Sequence, residues 1–320
     1  ITGNKGDYVV SGCLRTILAP FGTMVSRDNN YMGLHDGEPV FVPTSENYKE
    51  AVKWMYDMYQ KGVIDPEFFT QEESMAMAKR QAEGGSQVGL FTGWTADAQA
   101  GLNVDQFVAL EAVEGPDGKR HIENASNYLD VSDKELMITT SCENPEKLLQ
   151  WADDFYTDLV SLQTFYGSIP DQVKDNGDGT YEVLVPSDGS SLDTSAWSWS
   201  VRDFGPKYMN PEFYDKVTLP ADQGDGIKLA EDEINAEYAL NDNAMPFPMV
   251  KYTDEELSRI VSLGADIYKY VEAQFAHWVV DGGVDTEWDS YIEQLNAMGL
   301  QELIEIHMTA YEAYEASMGQ

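Results

Sequence analysis

The sequence predicts an α/β protein of about two domains. Helical-period apolar stripes alternate with short apolar runs bounded by glycine, which is the signature of helices packed on strands. The chain has 320 residues, and domains run to roughly 100–200 residues each. A hydrophobic share of 42% with seven Trp supplies material for real cores and excludes wholesale disorder.

The organising stretch is Tyr48–Trp94. Tyr48, Val52, Met55, Tyr56 and Tyr59 fall on one helical stripe. Lys61-Gly62 stops that helix with a cation in the last turn and a glycine where a left-handed residue is needed. Asp65-Pro66-Glu67 reads as a turn or helix start, Gln71–Ala82 as a second helix closed by Gly84-Gly85, and Val88–Phe91 as a core strand. That strand ends at Thr92-Gly93-Trp94, so a large flat ring stands at a strand end, where α/β sheets bind ligands.

Before this stretch, Cys13–Phe21 reads as one or two helical turns ending at Pro20. Val40–Val42 lies between Pro39 and Pro43 and is at most a short edge strand. Thr44-Ser45 caps the helix carrying Tyr48. After Trp94 come a helical turn over Thr95–Leu102, a strand over Asp105–Val113 ended by the turn Glu114-Gly-Pro-Asp-Gly, and a buried strand over Glu135–Thr140. Asn144-Pro145-Glu146 starts a helix that runs on through Val160, with Leu148, Trp151, Ala152 and Phe155 on one face. Asp175–Thr180 is a hairpin turn before Tyr181–Val185. Asn176, Asp178 and Glu182 lack the calcium-loop spacing, which favours a plain turn. Residues 186–226 read as loop with an aromatic cluster. Thr253–Glu256 is a capping box opening a long helix, and two further helices follow from Thr286 and Leu300.

Composition excludes several functions. The 56 acids against 20 bases give a formal charge of −36, a field that repels nucleic acid and anionic membrane surfaces. No stretch approaches the roughly 20 apolar residues of a membrane span. Cys13 and Cys142 have no C-x-x-C spacing. The four histidines stand apart with no zinc motif. There is no P-loop, nucleophile elbow or dinucleotide fingerprint. With so many carboxylates, glycosidase-like pairs arise by chance and identify nothing. No catalytic constellation, metal or cofactor is therefore expected.

The features that point to a ligand are aromatic rings at loops and strand ends: Trp94, Tyr128, Trp197 and Trp199. An indole face suits a sugar ring, with hydrogen bonds around the edge. Asp97, Asn127 and Arg202 lie close to these rings in sequence and supply such edge contacts. Trp54, Trp151, Trp278 and Trp288, on helix faces, read as core.

These segments carry a family likeness. YKEAVKWMYDMYQKGVIDPEFFT (48–70), NPEKLLQWADDFY (144–156), the region Phe165–Val183 and EWDSYIEQLNAMGLQELIEIHMTAYEAY (287–314) resemble, in order, the extracellular solute-binding proteins of family 1. The closer likeness is to the Gram-positive lipoprotein branch serving oligosaccharide ABC importers. The resemblance implies a type II periplasmic-binding-protein fold: two α/β lobes joined by a hinge, a sugar in the cleft, and a first lobe that is incomplete here. On that basis residues 1–106 are the first part of the second lobe. Residues 107–189 are the hinge, near Phe107–Val113, and the remainder of the first lobe. Residues 190–320 are the mostly helical rest of the second lobe. Ile1–Tyr8 corresponds to the tail of a calcium loop whose front half is absent. Tyr166-Gly-Ser-Ile-Pro departs from the family's glycine-isoleucine-glutamate-glycine motif.

The resemblance further implies a monomer tethered outside the cell by a lipid on a missing N-terminus, delivering an oligosaccharide to ABC permease subunits. Trp94 and one of Trp197 and Trp199 hold the positions of stacking rings. The competing readings are a carbohydrate-active hydrolase using two carboxylates and a surface adhesin without a small ligand.

Overall fold

The computed structural model describes residues 1–3, 16–23, 25, 27, 29–35, 37–122, 136–188, 190–238 and 245–318. In chain order the main elements are β1 (Met32–His35), β2 (Glu38–Phe41), α1 (Glu46–Gln60), α2 (Glu73–Arg80), α3 (Ala96–Ala100), α4 (Pro145–Asp153), α5 (Asp158–Tyr166), β3 (Val173–Asp175), β4 (Tyr181–Val183), α6 (Leu192–Trp199), α7 (Pro211–Tyr214), β5 (Val217–Thr218), α8 (Asp225–Asn235), β6 (Met245–Pro246), α9 (Asp254–Asp281), α10 (Val284–Ala297) and α11 (Leu300–Met318). None of the described helices is long and apolar enough to cross a membrane.

The chain forms two compact units. Unit 1 comprises residues 1–93, 105–125 and 235–320; unit 2 comprises 94–104 and 126–234. This division differs from the sequence-based one. Residues 190–234 join 126–189 because Leu192, Phe213 and Val217 share one buried cluster with Leu162, Tyr166, Val173 and Val183.

In unit 1, α1 packs on α9 and α10, and α11 packs on α9 and α10. Tyr48, Val52 and Met55 meet Ile267, Val271, Phe275, Trp278, Tyr291 and Leu303 in one core. Ser45 caps α1 by accepting from the Tyr48 amide at 3.2 Å. The helix ends as the sequence implies. Gly62 is left-handed at φ 70°, and the Gly62 and Val63 amides bond the Tyr59 and Met58 carbonyls. Its small sheet runs β2-β1-β6 with β2 at the edge, where Pro39 is tolerated.

In unit 2 the order is β3-β4-β5. The β3–β4 hairpin closes through Asp175 and Asp178, which accept from the Gly177 and Thr180 amides at 2.7 and 3.0 Å. The Thr180 hydroxyl, donating to Asp178 Oδ1 at 2.7 Å, and the Thr180 amide hold the Asp178 carboxyl below its usual range. A plain turn results.

Three expected strands are absent among the described residues: Val88–Phe91, Asp105–Val113 and 136–140 join no described ladder, and the neighbouring Glu114–Arg120 pair is an isolated bridge. Val108, Leu110 and Met137 are exposed, whereas Ala112 is buried and Phe91 packs edge-on against Phe107. The helix expected from residue 145 to 160 breaks into α4, a 3₁₀ turn at Asp154–Tyr156, and α5. Trp278 and Trp288 are buried, whereas Trp151 is 55% exposed and packs edge-on against Phe155.

Candidate functional site

The candidate residues that the structure describes all lie in unit 2. Trp94 precedes α3, whose N-cap Thr95 is buried and accepts from the Ala98 amide at 3.3 Å. The cap fixes the chain's entry to the helix and leaves the Trp94 indole outside it, 52% exposed. α8 lies beside this segment. Its Lys228 ammonium sits 5.0 Å from the Trp94 ring centroid and is held by the Asp232 carboxylate. Glu231, one helical turn from Lys228, accepts from the Ala96 amide. Burial raises its pKa, and the Asp97 charge raises it further.

Asp97 is half-buried on α3. Its Oδ2 accepts from Ser191 Oγ at 3.5 Å, while its buried Oδ1 has no hydrogen-bond partner among the described residues. Trp94 and Asp97 therefore share one locality with Lys228, Glu231 and Ser191. An open indole bordered by carboxylates and hydroxyls offers stacking and hydrogen bonding. Sequence reasoning missed Lys228 and Glu231, because only the packing of α8 on α3 brings them to the ring.

Trp197 and Trp199 lie on helix α6, where a loop was expected. The Ser-rich composition hid a helix whose Leu192 and Ala196, at i and i+4, are both buried. Two residues apart on a helix, the indoles point to opposite sides. Trp197 is 48% exposed and meets Phe204 edge-on at 5.6 Å. Trp199 turns inward: its Nε1 donates to the Tyr166 carbonyl at 3.2 Å, and the ring packs on the unit 2 core. Gly167 makes room for it, since a Cβ there would sit 2.8 Å from the indole.

Arg202 is buried. Its guanidinium bonds Asp225 at 3.1 Å and lies 4.4 Å from the Phe165 ring centroid. Burial and the neighbouring Asp225 carboxylate push the Tyr166 and Tyr214 phenols up. Arg202 is thus built into the interior of unit 2. Asn127 and Tyr128 lie outside the described residues.

No protein-family model matches the chain. It is 29% identical to the fructooligosaccharide ABC transporter substrate-binding protein FusA of Streptococcus pneumoniae, over 99% of this chain and 57% of that protein. The solved structure of FusA with kestose aligns at a TM-score of 0.75 and 26% identity, over 99% of this chain and 62% of that one. An HMO-binding, ABC-transporter-associated solute-binding protein from Bifidobacterium longum infantis shares the fold at a TM-score of 0.79 and 21% identity, over 98% and 64%. The chain spans about three fifths of the length of these relatives. Along nearly all its length the chain is similar in sequence and in fold to an ABC-transporter substrate-binding protein.

Proposed function

We propose that this chain is part of the substrate-binding component of an ABC importer, working outside the cell membrane. It holds an oligosaccharide by stacking and edge hydrogen bonds and performs no reaction on it. The observation that carries this reading is the half-open Trp94 indole with Asp97 one turn beyond it. A flat, partly desolvated ring bordered by acceptors suits the apolar face and hydroxyl rim of a sugar. Trp197 adds a second open ring. The similarity to FusA, solved with kestose, gives the same ligand class. Delivery to permease subunits, a lipid anchor and a monomeric state belong to the same proposal.

The test is thermal-shift and calorimetric titration of a neutral glycan panel that includes kestose. Binding should raise the melting temperature, and Trp94→Ala should weaken it by about 2 kcal/mol, roughly 30-fold, as loss of a central aromatic anchor does. Undiminished affinity in that variant removes Trp94 from the site. Cleavage products in the chromatogram would favour a hydrolase instead.

A further inference from the structure

Unit 1 carries a groove of about 530 Å³ that the reading above leaves unused. One wall is α1, where Glu50, Lys53, Trp54 and Asp57 follow i, i+3, i+4 and i+7 spacing and share a face. Trp54 is half-buried and packs against Phe21 with ring centroids 5.8 Å apart. The facing wall is the Gly282-Gly283 turn and the first turn of α10, with Asp285. The turn approaches closely because both glycines have positive φ, 79° and 104°. A Cβ on Gly282 would come within 3.0 Å of the Tyr56 ring. The volume lies within the roughly 300–1,000 Å³ of small-molecule sites. A second cavity in the same unit, beside the β1–β2 hairpin, holds only about 270 Å³.

The groove carries both acceptors and donors beside the indole. Glu50, Asp57 and Asp285 accept. The Lys53 ammonium donates, lying 3.0 Å from Glu50 Oε1 and 3.5 Å from Asp285 Oδ2. An anion entering here meets three carboxylates. An organic cation finds Lys53 already bridging two of them. A neutral polyol, with an apolar ring face and hydroxyls that both donate and accept, matches the whole set.

We propose that this groove is a second binding site, for a short neutral saccharide, with Trp54 as its stacking platform. It stands on the residues of unit 1 alone and does not require the Trp94 reading to hold.

The experiment is calorimetric titration of the 320-residue chain with kestose, maltotriose and lactose, using spermidine as a cationic counter-probe. At least one sugar should still bind the Trp94→Ala variant, and its affinity should fall at least tenfold in Trp54→Ala. Because Trp54 packs on Phe21, the exposed substitutions Asp57→Asn and Glu50→Gln provide a fold-neutral check and should each weaken binding several-fold. Sugar binding that Trp94→Ala abolishes and the Trp54, Asp57 and Glu50 variants leave intact overturns this proposal and leaves the first standing. Sugar binding that Trp94→Ala leaves wholly undiminished and Trp54→Ala removes supports this site and overturns the first. Absence of binding by all three sugars, or spermidine binding that Trp54→Ala removes, also overturns it.

Discussion

At the scale of single residues, two buried charged or titratable groups are set by their surroundings. His307 on α11 is fully buried beneath Phe247, with Nδ1 2.7 Å from the Tyr252 hydroxyl and Nε2 without a partner among the described residues. Burial pushes its pKa from 6.5 down to about 4. The folded state thus favours the neutral ring. Its contribution is complete above pH 6.5 and is lost as pH falls toward 4, amounting to about 3 kcal/mol by linkage. The difference in melting temperature between wild type and His307→Gln should narrow over that interval, measured by calorimetry at stepped pH. A difference independent of pH would mean that the ring is already accommodated as a cation. Arg202 presents the opposite case. Arg202→Ala would leave the Asp225 carboxylate buried without its guanidinium partner, at a cost of about 3–5 kcal/mol in urea unfolding. A loss under 1 kcal/mol would mean that the Arg202–Asp225 pair is structurally dispensable.

At the scale of elements, what was legible in the sequence was what is encoded locally. The cap at Ser45, the stop at Lys61-Gly62, the Asp175–Thr180 turn and the capping box at Thr253 each depend on a few consecutive residues, and each formed. The strands were legible only as apolar runs. Val88–Phe91 and Asp105–Val113 have the composition of core strands, but a strand exists only when another supplies its ladder. The Trp94 locality was half legible for the same reason: the ring and Asp97 are near in sequence, whereas Lys228 and Glu231 arrive through tertiary packing. The capping box gives a test at this scale. The Thr253 side chain accepts from the Glu256 amide at 3.3 Å, and Glu256 Oε2 accepts from the Thr253 amide at 2.7 Å. Thr253→Ala should cost about 1 kcal/mol. The Thr253→Ala, Glu256→Ala double variant should lose less than the sum of the singles, because each bond supports the other. Strict additivity in urea unfolding would show two independent caps.

At the scale of the molecule, the two units differ in how their stability is built. Unit 1 joins four helices, α1, α9, α10 and α11, around buried aromatics. Trp278 meets Tyr291 at 4.8 Å and Trp288 at 5.9 Å between ring centroids, and α9 alone spans 28 residues. Unit 2 relies on helices of eleven residues or fewer, on two- and three-residue strands, and on a smaller buried cluster. It also leaves Leu149, Trp151 and Leu159 open to solvent. Burial of apolar area is the main favourable term in folding, so the free energy needed to open a segment should follow this contrast. Native-state hydrogen exchange should find the slowest amides in α9 between Ile267 and Val279. Residues 94–104 and 145–166 should exchange through openings several kcal/mol cheaper. The acidity does not reverse the order. With a net charge of −36, added salt relieves repulsion throughout the chain and raises protection in both units together. Equal protection across α5, α6 and α9 at any salt concentration would mean that the two units open as one, and that core size does not set the hierarchy here.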